Sequence, residues 1–388
     1  MAGQLDDVVI VEAVRTPIGR RNGSLKDVRP DELMALTLAE LVRRTGIDPG
    51  VVDDVILGCV AQIGEQGANV ARLAVLEAGF PIEVPAVSLD RMCSSGQQAV
   101  HFAAQAIGSG QADVVIAGGV ESMSRVPMMA DYPTSWSPKL MGRTDVEVSD
   151  NQGISADLIA ERWGLTRQEL DQYAFDSHVK AGAATQDGRF VGQIVPIDVA
   201  AEDGAVRSFG NDEGIRMPPS LDRMAALQPA FGAGGTATAG NASQISDGSA
   251  ALLLTSRQKA AELGLRPRAR IRATSVVGSD PLLMLTGPIP ATRKVLKRAG
   301  MSLGDVDVVE INEAFASVVL AWARELEPDM ARVNPNGGAI AHGHPLGATG
   351  AILLTKLINE LERQDKQVGL QTMCVGFGQA TATIIERE

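Results

Sequence analysis

An internal repeat is the strongest guide to the architecture of this 388-residue chain. The segment Arg44–Val55 resembles the segment Arg298–Val309, and the two are offset by 254 residues (298 − 44). Gly96 and Gly350, which each open a helix-like stretch of small residues, have the same offset (350 − 96). A constant offset between separate matches predicts a duplicated structural unit, with a chance match of short segments as the alternative.

Strand-like and helix-like stretches alternate along the first copy of the repeat. Apolar runs predict strands, and amphipathic stretches predict helices. The predicted strands are Val8–Val11, Val55–Val60, Ala86–Leu89 and Val114–Ala117, and the predicted helices are Pro30–Arg44 and Ser95–Ile107. This alternation indicates an α/β protein with βαβ units and a parallel sheet covered on both faces. Two such sheets side by side would bring their strand ends, where α/β proteins bind ligands, to one seam.

The alternation stops near Ser122 and returns with the apolar run Ala250–Leu254. The residues between are rich in Pro, Gly, Asp and Met, and Thr166 with Glu169 forms a capping-box pattern that predicts a helix start. A segment of this length between regular elements usually has a function. We therefore expect an N-terminal half at residues 1–121, completed by about 246–265, an inserted loop domain at 122–245 and a C-terminal half at 266–388.

Charge and composition exclude several classes of function. A net charge of −12 does not attract nucleic acid or anionic membranes, and an aromatic content of 3% argues against base-stacking surfaces. No apolar run approaches the roughly 18 residues that a membrane span needs. The N-terminal residues lack a secretory signal pattern. We expect a soluble, cytoplasmic protein that binds neither nucleic acid nor membrane.

The three cysteines are too few for a disulfide framework or a four-cysteine zinc site, so no metal is expected. Cys93 follows a predicted strand and directly precedes a predicted helix. The positive end of a helix dipole lowers a thiol pKa and favours a nucleophilic thiolate, whereas a buried structural thiol is an equally weighted alternative. Cys59, in an apolar setting, is expected to pack in the core.

Two of the four histidines lie in the glycine-rich segment Asn334–Gly350. His344 is followed by Pro345, which stiffens the backbone, and its imidazole could accept the proton of a thiol. His342 is expected to be a hydrogen-bonded loop residue instead.

Two further predicted strand ends carry groups suited to catalysis. Cys374 is followed by Gly376, whose backbone N–H could face an oxyanion, and a thiol with a pKa tuned toward 7 could act as acid or base. Asn312 lies between a predicted strand and a predicted helix. Capping that helix is its simpler role, and orienting a water molecule is the alternative.

The chain closely resembles the thiolase family in four segments, and the similarity extends over essentially all of its length. The segments are Cys-Ser-Ser-Gly (93–96), Asn-Glu-Ala-Phe (312–315), Gly-His-Pro-Leu-Gly-Ala-Thr-Gly (343–350) and Cys-x-Gly-x-Gly (374–378). The resemblance implies the thiolase fold, a layered αβαβα arrangement of two similar halves with an inserted loop domain. It also implies an acyltransferase that uses CoA and acyl-CoA thioesters as substrates, needs no cofactor and forms a homodimer or homotetramer.

The resemblance also implies roles for five residues. Cys93 would be the nucleophile that becomes acylated, and His344 would activate it. Cys374 would exchange a proton with the acetyl carbon of acetyl-CoA. Asn312, through a water molecule, and His344 would form one oxyanion hole, and the backbone N–H groups of Cys93 and Gly376 would form the other.

Three more positions would bind the substrate, again by resemblance. Ser243 and Arg216 align with residues that hold the pantetheine and nucleotide parts of CoA, and Phe315 would line the pocket. Arg223 is a further candidate cation for the anionic CoA, with a solvated surface position as the equal alternative.

The sequence departs from the common family pattern at five positions. Asp90 replaces an Asn, Phe377 and Ala380 replace glycines, and Asn151-Gln152 lies where short-chain members carry His-Met. These changes argue against specificity for acetoacetyl-CoA. The tract from Glu310 to Gly350 resembles degradative bacterial thiolases, including those for steroid side chains. The resemblance therefore implies a degradative 3-ketoacyl-CoA thiolase of fatty-acid or steroid side-chain β-oxidation, with an acyl group longer or bulkier than that of acetoacetyl-CoA. The alternatives are a biosynthetic acetyl-CoA acetyltransferase, a decarboxylating ketoacyl synthase, against which Cys374 argues, and a non-catalytic thiolase-like binding protein.

Overall fold

The computed structural model describes residues 7–144, 151–200 and 204–388, in which the chain forms twelve strands and twelve α-helices. The strands are β1 (Val8–Arg15), β2 (Gly19–Arg20), β3 (Asp54–Gly58), β4 (Ala86–Leu89), β5 (Val114–Ser122), β6 (Ile197–Ala200), β7 (Val206–Phe209), β8 (Ser246–Ser256), β9 (Ala269–Gly278), β10 (Val308–Ile311), β11 (Val368–Val375) and β12 (Gln379–Arg387). The helices are α1 (Pro30–Thr45), α2 (Val70–Glu77), α3 (Ser95–Gly108), α4 (Pro138–Thr144), α5 (Gln152–Arg162), α6 (Arg167–Gln186), α7 (Leu221–Ala225), α8 (Arg257–Glu262), α9 (Pro288–Ala299), α10 (Ala316–Leu326), α11 (Ala339–His342) and α12 (Leu346–Gln364).

Ten strands form one sheet in the order β10-β11-β12-β9-β1-β8-β5-β3-β4, with β2 paired to β8. Strands β1 and β9 join the two halves of this sheet over two residue pairs, Val9 with Arg270 and Ile10 with Ala269. Helices α1 and α2 pack on the outer face of the first half, α9 and α10 on that of the second, and α3 and α12 lie between the halves. The layered αβαβα arrangement implied by the family resemblance is therefore confirmed. The prediction of a parallel sheet is wrong, because among the described strands only β3–β4, β3–β5 and β10–β11 pair in parallel, whereas β1, β8, β9 and β12 pair antiparallel with their neighbours.

The duplicated unit is confirmed by the pairing of equivalent strands. In the first half β3 pairs in parallel with β5, with Asp54 opposite Val115. In the second half β10 pairs in parallel with β11, with Val308 opposite Gly369. Both partners are shifted by 254 residues (308 − 54 and 369 − 115), so the two halves of the sheet share one register.

A side-chain contact at the start of these strands is repeated as well. The carboxylate of Asp53 accepts hydrogen bonds from the backbone N–H groups of Asp113 and Val114, at 2.7 and 2.9 Å. The carboxylate of Asp307, 254 residues later, accepts from the equivalent N–H groups of residues 367 and 368, at 3.0 and 2.9 Å. A chance match of short sequences would not reproduce these bonds, so the alternative of a chance repeat is excluded.

Local sequence signals account for where most elements begin and end. Helix α1 has Pro30 in its first turn and ends at Gly46, whose φ of 68° suits a residue without a side chain. The capping box predicted at Thr166 is present at the start of α6. Strand β3 ends at Gly58, two residues earlier than predicted, because the N–H of Val60 donates to the Glu121 carboxylate instead of a neighbouring strand.

The predicted insertion leaves the sheet where β5 ends and returns to it with β8, and it contains α4 to α7 and the two-stranded sheet of β6 and β7. Strand β8 then pairs with both β1 and β5. The division of the chain at residues 121, 245 and 265 stays a prediction. Among the helices of the described ranges, none combines the length and apolar character needed to cross a membrane.

Candidate active site

The turn between β4 and α3 presents Cys93 next to the helix start. Met92 has a φ of 46°, an unusual backbone conformation for a residue with a side chain. Its N–H donates to the Asp90 carboxylate at 2.5 Å, and its carbonyl accepts from the Ser95 hydroxyl at 2.6 Å. The same hydroxyl accepts from the N–H of Arg91 at 2.8 Å. These bonds fix the backbone that positions the thiol.

Burial controls the protonation of Cys93, which is 1% exposed. Loss of hydration raises the pKa of the thiol to about 11, although three donors favour the thiolate: the side-chain amide of Gln152 and the backbone N–H groups of Cys93 and Gly376. The backbone N–H of Cys93 at the helix start lowers the pKa, as predicted, but burial outweighs this effect and the net pKa of the thiol lies above its ordinary value.

The hydrogen bonds of His344 define which ring nitrogen carries a proton. The Thr349 hydroxyl donates to the carbonyl of Pro345 at 2.8 Å, so its oxygen accepts from Nδ1 of His344 at 2.6 Å. The proton therefore sits on Nδ1 and leaves Nε2 with a free lone pair. Burial lowers the pKa of His344 to about 4, so the ring is neutral at pH 7. A neutral imidazole with a free Nε2 is a proton acceptor.

Asn312 faces this imidazole from the end of β10. Its Nδ2 lies 3.4 Å from Nε2 of His344, and its Oδ1 is buried without a hydrogen-bond partner. Helix α10 begins at Ala316, with Phe315 at the capping position and no side-chain cap. The simpler prediction, that Asn312 caps this helix, is therefore wrong, and its side chain is free to take part in the site.

Cys374 completes the group near the end of β11. Burial, followed by the neighbouring Cys93, raises the pKa of its thiol well above the ordinary value, and the Asn312 amide opposes that shift. The prediction of a pKa tuned toward 7 is wrong for the free protein, because the fully buried sulfur is poorly solvated when charged. The structure thus brings together Cys93, His344, Asn312, Cys374 and Gly376, which come from both halves of the sheet.

Close packing of two helix starts brings together the segments that carry Cys93 and His344. A side chain on Gly350 in α12 would place its Cβ 2.2 Å from the backbone N of Gln97 in α3. A Cβ on Gly96 would lie 2.8 Å from the carbonyl oxygen of Gly347. The two glycines predicted from the repeat are therefore required by the close contact between α3 and α12.

The Glu121 carboxylate ties the loops around the site together. It accepts hydrogen bonds from the backbone N–H groups of Val60, Ala61 and Gly347, at 2.9, 3.2 and 2.9 Å, and from the Gln66 amide at 2.7 Å. One of these loops leads from His344 into α12. Sequence reasoning did not identify this role, because the four donors come from distant parts of the chain.

His342 is hydrogen-bonded and Cys59 lies in the core, as expected, but His342 is the last residue of helix α11 rather than a loop residue. Nδ1 of His342 lies 2.8 Å from the carboxylate of Asp212, and Nε2 lies 2.8 Å from the carbonyl of Asn336. Asp212 also forms a buried ion pair with Arg15 at 2.7 Å. Cys59 is fully buried in the apolar cluster beneath α1 and α2.

Two of the three predicted substrate-binding residues lie beside the loop that follows Asn312. The backbone N–H of Ser243 donates to the carbonyl of Ala314 at 2.9 Å. Phe315 is buried and packs edge-on against Phe231, with 5.6 Å between ring centroids. Arg216 is exposed on the insertion.

Backbone contacts place the Arg216 loop near the site, although its side chain is directed to the surface. The Arg216 N–H donates to Nδ1 of His178 at 3.2 Å. Two residues earlier, a Cβ on Gly214 would lie 2.8 Å from the carbonyl oxygen of Ala341. Arg223 is likewise exposed, in α7.

Gln152 is a site residue that sequence reasoning missed. In the sequence it stands out only as a departure from the family pattern, yet its side-chain amide donates to the Cys93 sulfur. Its Nε2 lies 3.2 Å from the place that a Cβ on Gly376 would occupy. No local pattern signals this contact, because Gln152 starts helix α5 of the insertion. Among the described residues, no cluster of His, Cys, Asp or Glu could hold a metal ion.

Comparison with known proteins gives one consistent result. The model described as "Thiolase, N-terminal domain" matches residues 8–258, and "Thiolase, C-terminal domain" matches residues 265–387. The chain is 50% identical to the steroid 3-ketoacyl-CoA thiolase FadA6 of Mycobacterium tuberculosis, over 99% of this chain and 95% of that protein. It is 45% identical to a 3-ketoacyl-CoA thiolase of Klebsiella pneumoniae, over 99% of this chain and 100% of that protein.

A solved structure agrees with these matches. The crystal structure of the Bacillus anthracis acetyl-CoA acetyltransferase superimposes with a TM-score of 0.90 at 42% sequence identity. The superposition covers 98% of this chain and 99% of that one.

Proposed function

Since the chain belongs to the thiolase family of acyltransferases, we propose that it cleaves 3-ketoacyl-CoA with CoA to acetyl-CoA and a shortened acyl-CoA. The observation that supports this most directly is the meeting of two buried thiols with a neutral imidazole whose Nε2 carries no proton. A carbon–carbon bond can be broken by such a group only if a nucleophile, a proton acceptor and a proton donor are all within reach.

In the first half of the proposed reaction, the Cys93 sulfur attacks the 3-keto carbon while its proton passes to Nε2 of His344. The ketone oxygen becomes an oxyanion next to the sulfur, where the N–H groups of Cys93 and Gly376 point. The bond between the second and third carbons then breaks. Cys374 gives its proton to the departing acetyl-CoA carbon and is left as a thiolate.

Stabilisation of the departing enolate explains the position of Asn312. The enolate thioester carries its negative charge on oxygen, and a donor is needed there as the bond breaks. The protonated Nε2 of His344 and the Asn312 amide, through a water molecule, supply it, since their nitrogens lie 3.4 Å apart.

In the second half of the proposed reaction, CoA accepts the acyl group. Its thiol gives a proton to the Cys374 thiolate and attacks the acyl thioester. The Cys93 sulfur leaves and regains its proton from His344. The free protein is restored and every proton is accounted for, so no cofactor is required.

Degradation is the proposed direction, because the relatives that are 45–50% identical over nearly the full chain are named 3-ketoacyl-CoA thiolases. Condensation of two acetyl-CoA molecules is the reverse of the same steps and remains the alternative. We expect longer or bulkier 3-ketoacyl-CoA thioesters to be cleaved faster than acetoacetyl-CoA, in the cytoplasm. A clear preference for acetoacetyl-CoA would contradict this part of the proposal.

CoA itself is proposed to lie along Ser243, Phe315 and Arg216, with Arg216 as a local cation on an acidic protein. A homodimer or homotetramer is also proposed. Edge strand β4 carries Val87, which is 44% exposed, and Phe102 in α3 is 41% exposed. A second copy could cover these apolar groups, and light scattering of the purified protein will measure the oligomeric state.

Intact-mass measurement after incubation with a 3-ketoacyl-CoA tests the proposal directly. We expect the wild-type protein to gain the mass of the shortened acyl group and Cys93→Ala to gain nothing. Cys374→Ala should acylate slowly and fail to turn over normally. An adduct that persists in Cys93→Ala, or none on the wild type, would refute the mechanism.

A further inference from the structure

A cavity of about 540 Å³ lies beside the turn between β11 and β12. Its walls come from the segment around α4, from the loop after β9 and from Phe377. The lining residues are Trp136, Leu140, Arg143, Thr144, Ser279, Pro281 and Phe377. We call this space the aromatic cavity. Its volume lies in the range that encloses a drug-sized ligand, so an acetyl group would leave most of it empty.

The rings of Trp136 and Phe377 form one wall of the aromatic cavity, and the ring of Tyr132 packs against both. The ring centroids of Trp136 and Phe377 are 5.5 Å apart, and Tyr132 lies 6.0 and 6.1 Å from the two rings. Aromatic residues make up 3% of the chain, so this cluster is a local concentration of apolar surface. It suits contact with an apolar ligand.

Phe377 holds its ring there at a conformational cost. Its φ is 59°, in the left-handed region that glycine tolerates and a residue with a side chain rarely adopts. The N–H of Phe377 donates to the sulfur of Met284 at 3.3 Å, which helps to hold this backbone. A strained residue on a cavity wall indicates that the side chain has a use there.

The wall is adjacent to the reacting group. Gly376, whose N–H points at the Cys93 sulfur, directly precedes Phe377. A Cβ on Gly376 would lie 3.9 Å from the side chain of Met92, the residue before the nucleophile. An acyl group bound to Cys93 therefore starts next to the aromatic cavity.

Arg143 gives the cavity one positive charge. It lines both the aromatic cavity and an adjoining space bordered by Asp280. The ion pairs and hydrogen bonds found within the described ranges include none from the Arg143 side chain. The Asp280 carboxylate accepts the N–H of Leu282 at 2.8 Å and is not within ion-pair distance of Arg143. The guanidinium is therefore available to an anionic ligand.

We propose that the aromatic cavity receives the acyl group and that Arg143 binds a carboxylate at its far end. The substrate class is then a 3-ketoacyl-CoA whose apolar chain or ring system carries a terminal carboxylate. This inference rests on the proposed thiolase function, and it adds a substrate group that a plain fatty acyl chain lacks. An arginine guanidinium is well suited to a carboxylate, because it can form two parallel hydrogen bonds.

Two 3-ketoacyl-CoA substrates of equal length test the proposal, one ending in a methyl group and one in a carboxylate. We expect wild-type protein to have the higher kcat/KM with the carboxylate-ended substrate. Arg143→Gln should reduce the ratio of the two kcat/KM values by about fivefold, the upper range for a partly exposed ion pair. Lys139→Gln, on the same helix but outside the cavity lining, is the matched control and should leave the ratio unchanged.

A second variant tests the aromatic wall without touching the charge. Phe377→Gly removes the ring and relieves the strained φ, and it should lower kcat/KM for both long substrates relative to acetoacetyl-CoA. If Arg143→Gln slows both long substrates equally or raises the KM for CoA, Arg143 does not bind the distal carboxylate and the inference fails. If cleavage of acetoacetyl-CoA and of both long substrates is absent in the wild type, the thiolase function itself fails.

Discussion

Individual side chains at the site are neutral before substrate binds. Burial keeps the proton on the Cys93 thiol and keeps the His344 imidazole uncharged. Attack and proton transfer must therefore occur together, since a preformed thiolate is rare. In the proposed mechanism, His344 therefore activates Cys93 as a proton acceptor, and the thiol is not ionised in advance.

The pH dependence of Cys93 alkylation follows from this state. With a pKa of about 11, the thiolate fraction at pH 7 is about 10⁻⁴. The rate of alkylation by iodoacetamide in the free protein should rise about tenfold for each pH unit from 7 to 10. Intact-mass time courses at several pH values measure the rate. A plateau below pH 9 would show that the thiol is more acidic than its burial implies.

Gln152 provides a more local test. Its amide stabilises the Cys93 thiolate, so Gln152→Ala should raise the pKa of the thiol further and slow alkylation at pH 9 about tenfold. Gln172→Ala, an exposed glutamine on α6, is the control and should alkylate like the wild type. Equal rates for Gln152→Ala and the wild type would remove Gln152 from the site.

The sequence predicted which side chains form the site better than it predicted the environment of each side chain. The thiols, the imidazole and Asn312 were predicted, and they meet in the structure. Their pKa values were not, because burial depends on packing from many distant segments. Gln152 was missed for a related reason: it approaches Cys93 from the insertion, about sixty residues further along the chain (152 − 93).

Secondary-structure elements set the distances between these groups. Gly350→Ala would force α12 away from α3, because the added Cβ meets the backbone N of Gln97 at 2.2 Å. A shift of about 1 Å between Cys93 and His344 should reduce kcat by about 100-fold. Gly304→Ala is the matched control, since its Cβ would be 3.7 Å from its nearest neighbour. Thiolysis rates, with circular dichroism to verify folding, compare the two variants, and near-normal turnover by Gly350→Ala would contradict the packing argument.

The ion pair between Arg15 and Asp212 joins the end of β1 to the insertion. Burial opposes the charge on Asp212, but Arg15 and His342 outweigh it and hold its pKa well below the usual range. The stabilising contribution is thus fully present above pH 4 and is lost only as the pH falls through that depressed value. Asp212→Asn leaves the Arg15 charge buried and unpaired, and should lower the free energy of unfolding by about 3–5 kcal/mol.

Urea denaturation at pH 7 measures that loss. Asp187→Asn, at an ion pair whose carboxylate is 58% exposed, is the control and should change stability by less than about 1 kcal/mol. Similar values for the two variants would mean that the buried pair contributes no more than a surface pair.

The whole molecule was largely predictable because its halves follow one pattern. Local periodicity indicated strands and helices, and the constant offset indicated the duplication, whereas the layered order was implied by the resemblance to the thiolase family. The course of the insertion could not be predicted, since its helices range from the 5-residue α7 to the 20-residue α6, follow no repeated pattern and are positioned by contacts with both halves.

The duplication itself predicts equal effects at equivalent positions. Asp53→Ala and Asp307→Ala each remove a carboxylate that accepts two backbone N–H groups, and each should lower stability by about 1–2 kcal/mol. Denaturant midpoints of the two variants will show whether the losses match. A large loss in one half and none in the other would mean that the halves no longer rely on the same contact.

Because the two halves share one register, each residue proposed to act in catalysis has an equivalent position in the other half. The position equivalent to Cys93 is Gly347 (93 + 254), and the position equivalent to Asn312 is Gly58 (312 − 254). A Cβ at Gly347 would lie 2.8 Å from the Cα of Cys59, and one at Gly58 would lie 2.5 Å from the N of Gly96. Backbone fills the space where a second reaction centre would lie. One half therefore has room for the thiol of Cys93 and the other for the side chain of Asn312, so the duplicated fold accommodates one asymmetric site in place of two equivalent ones.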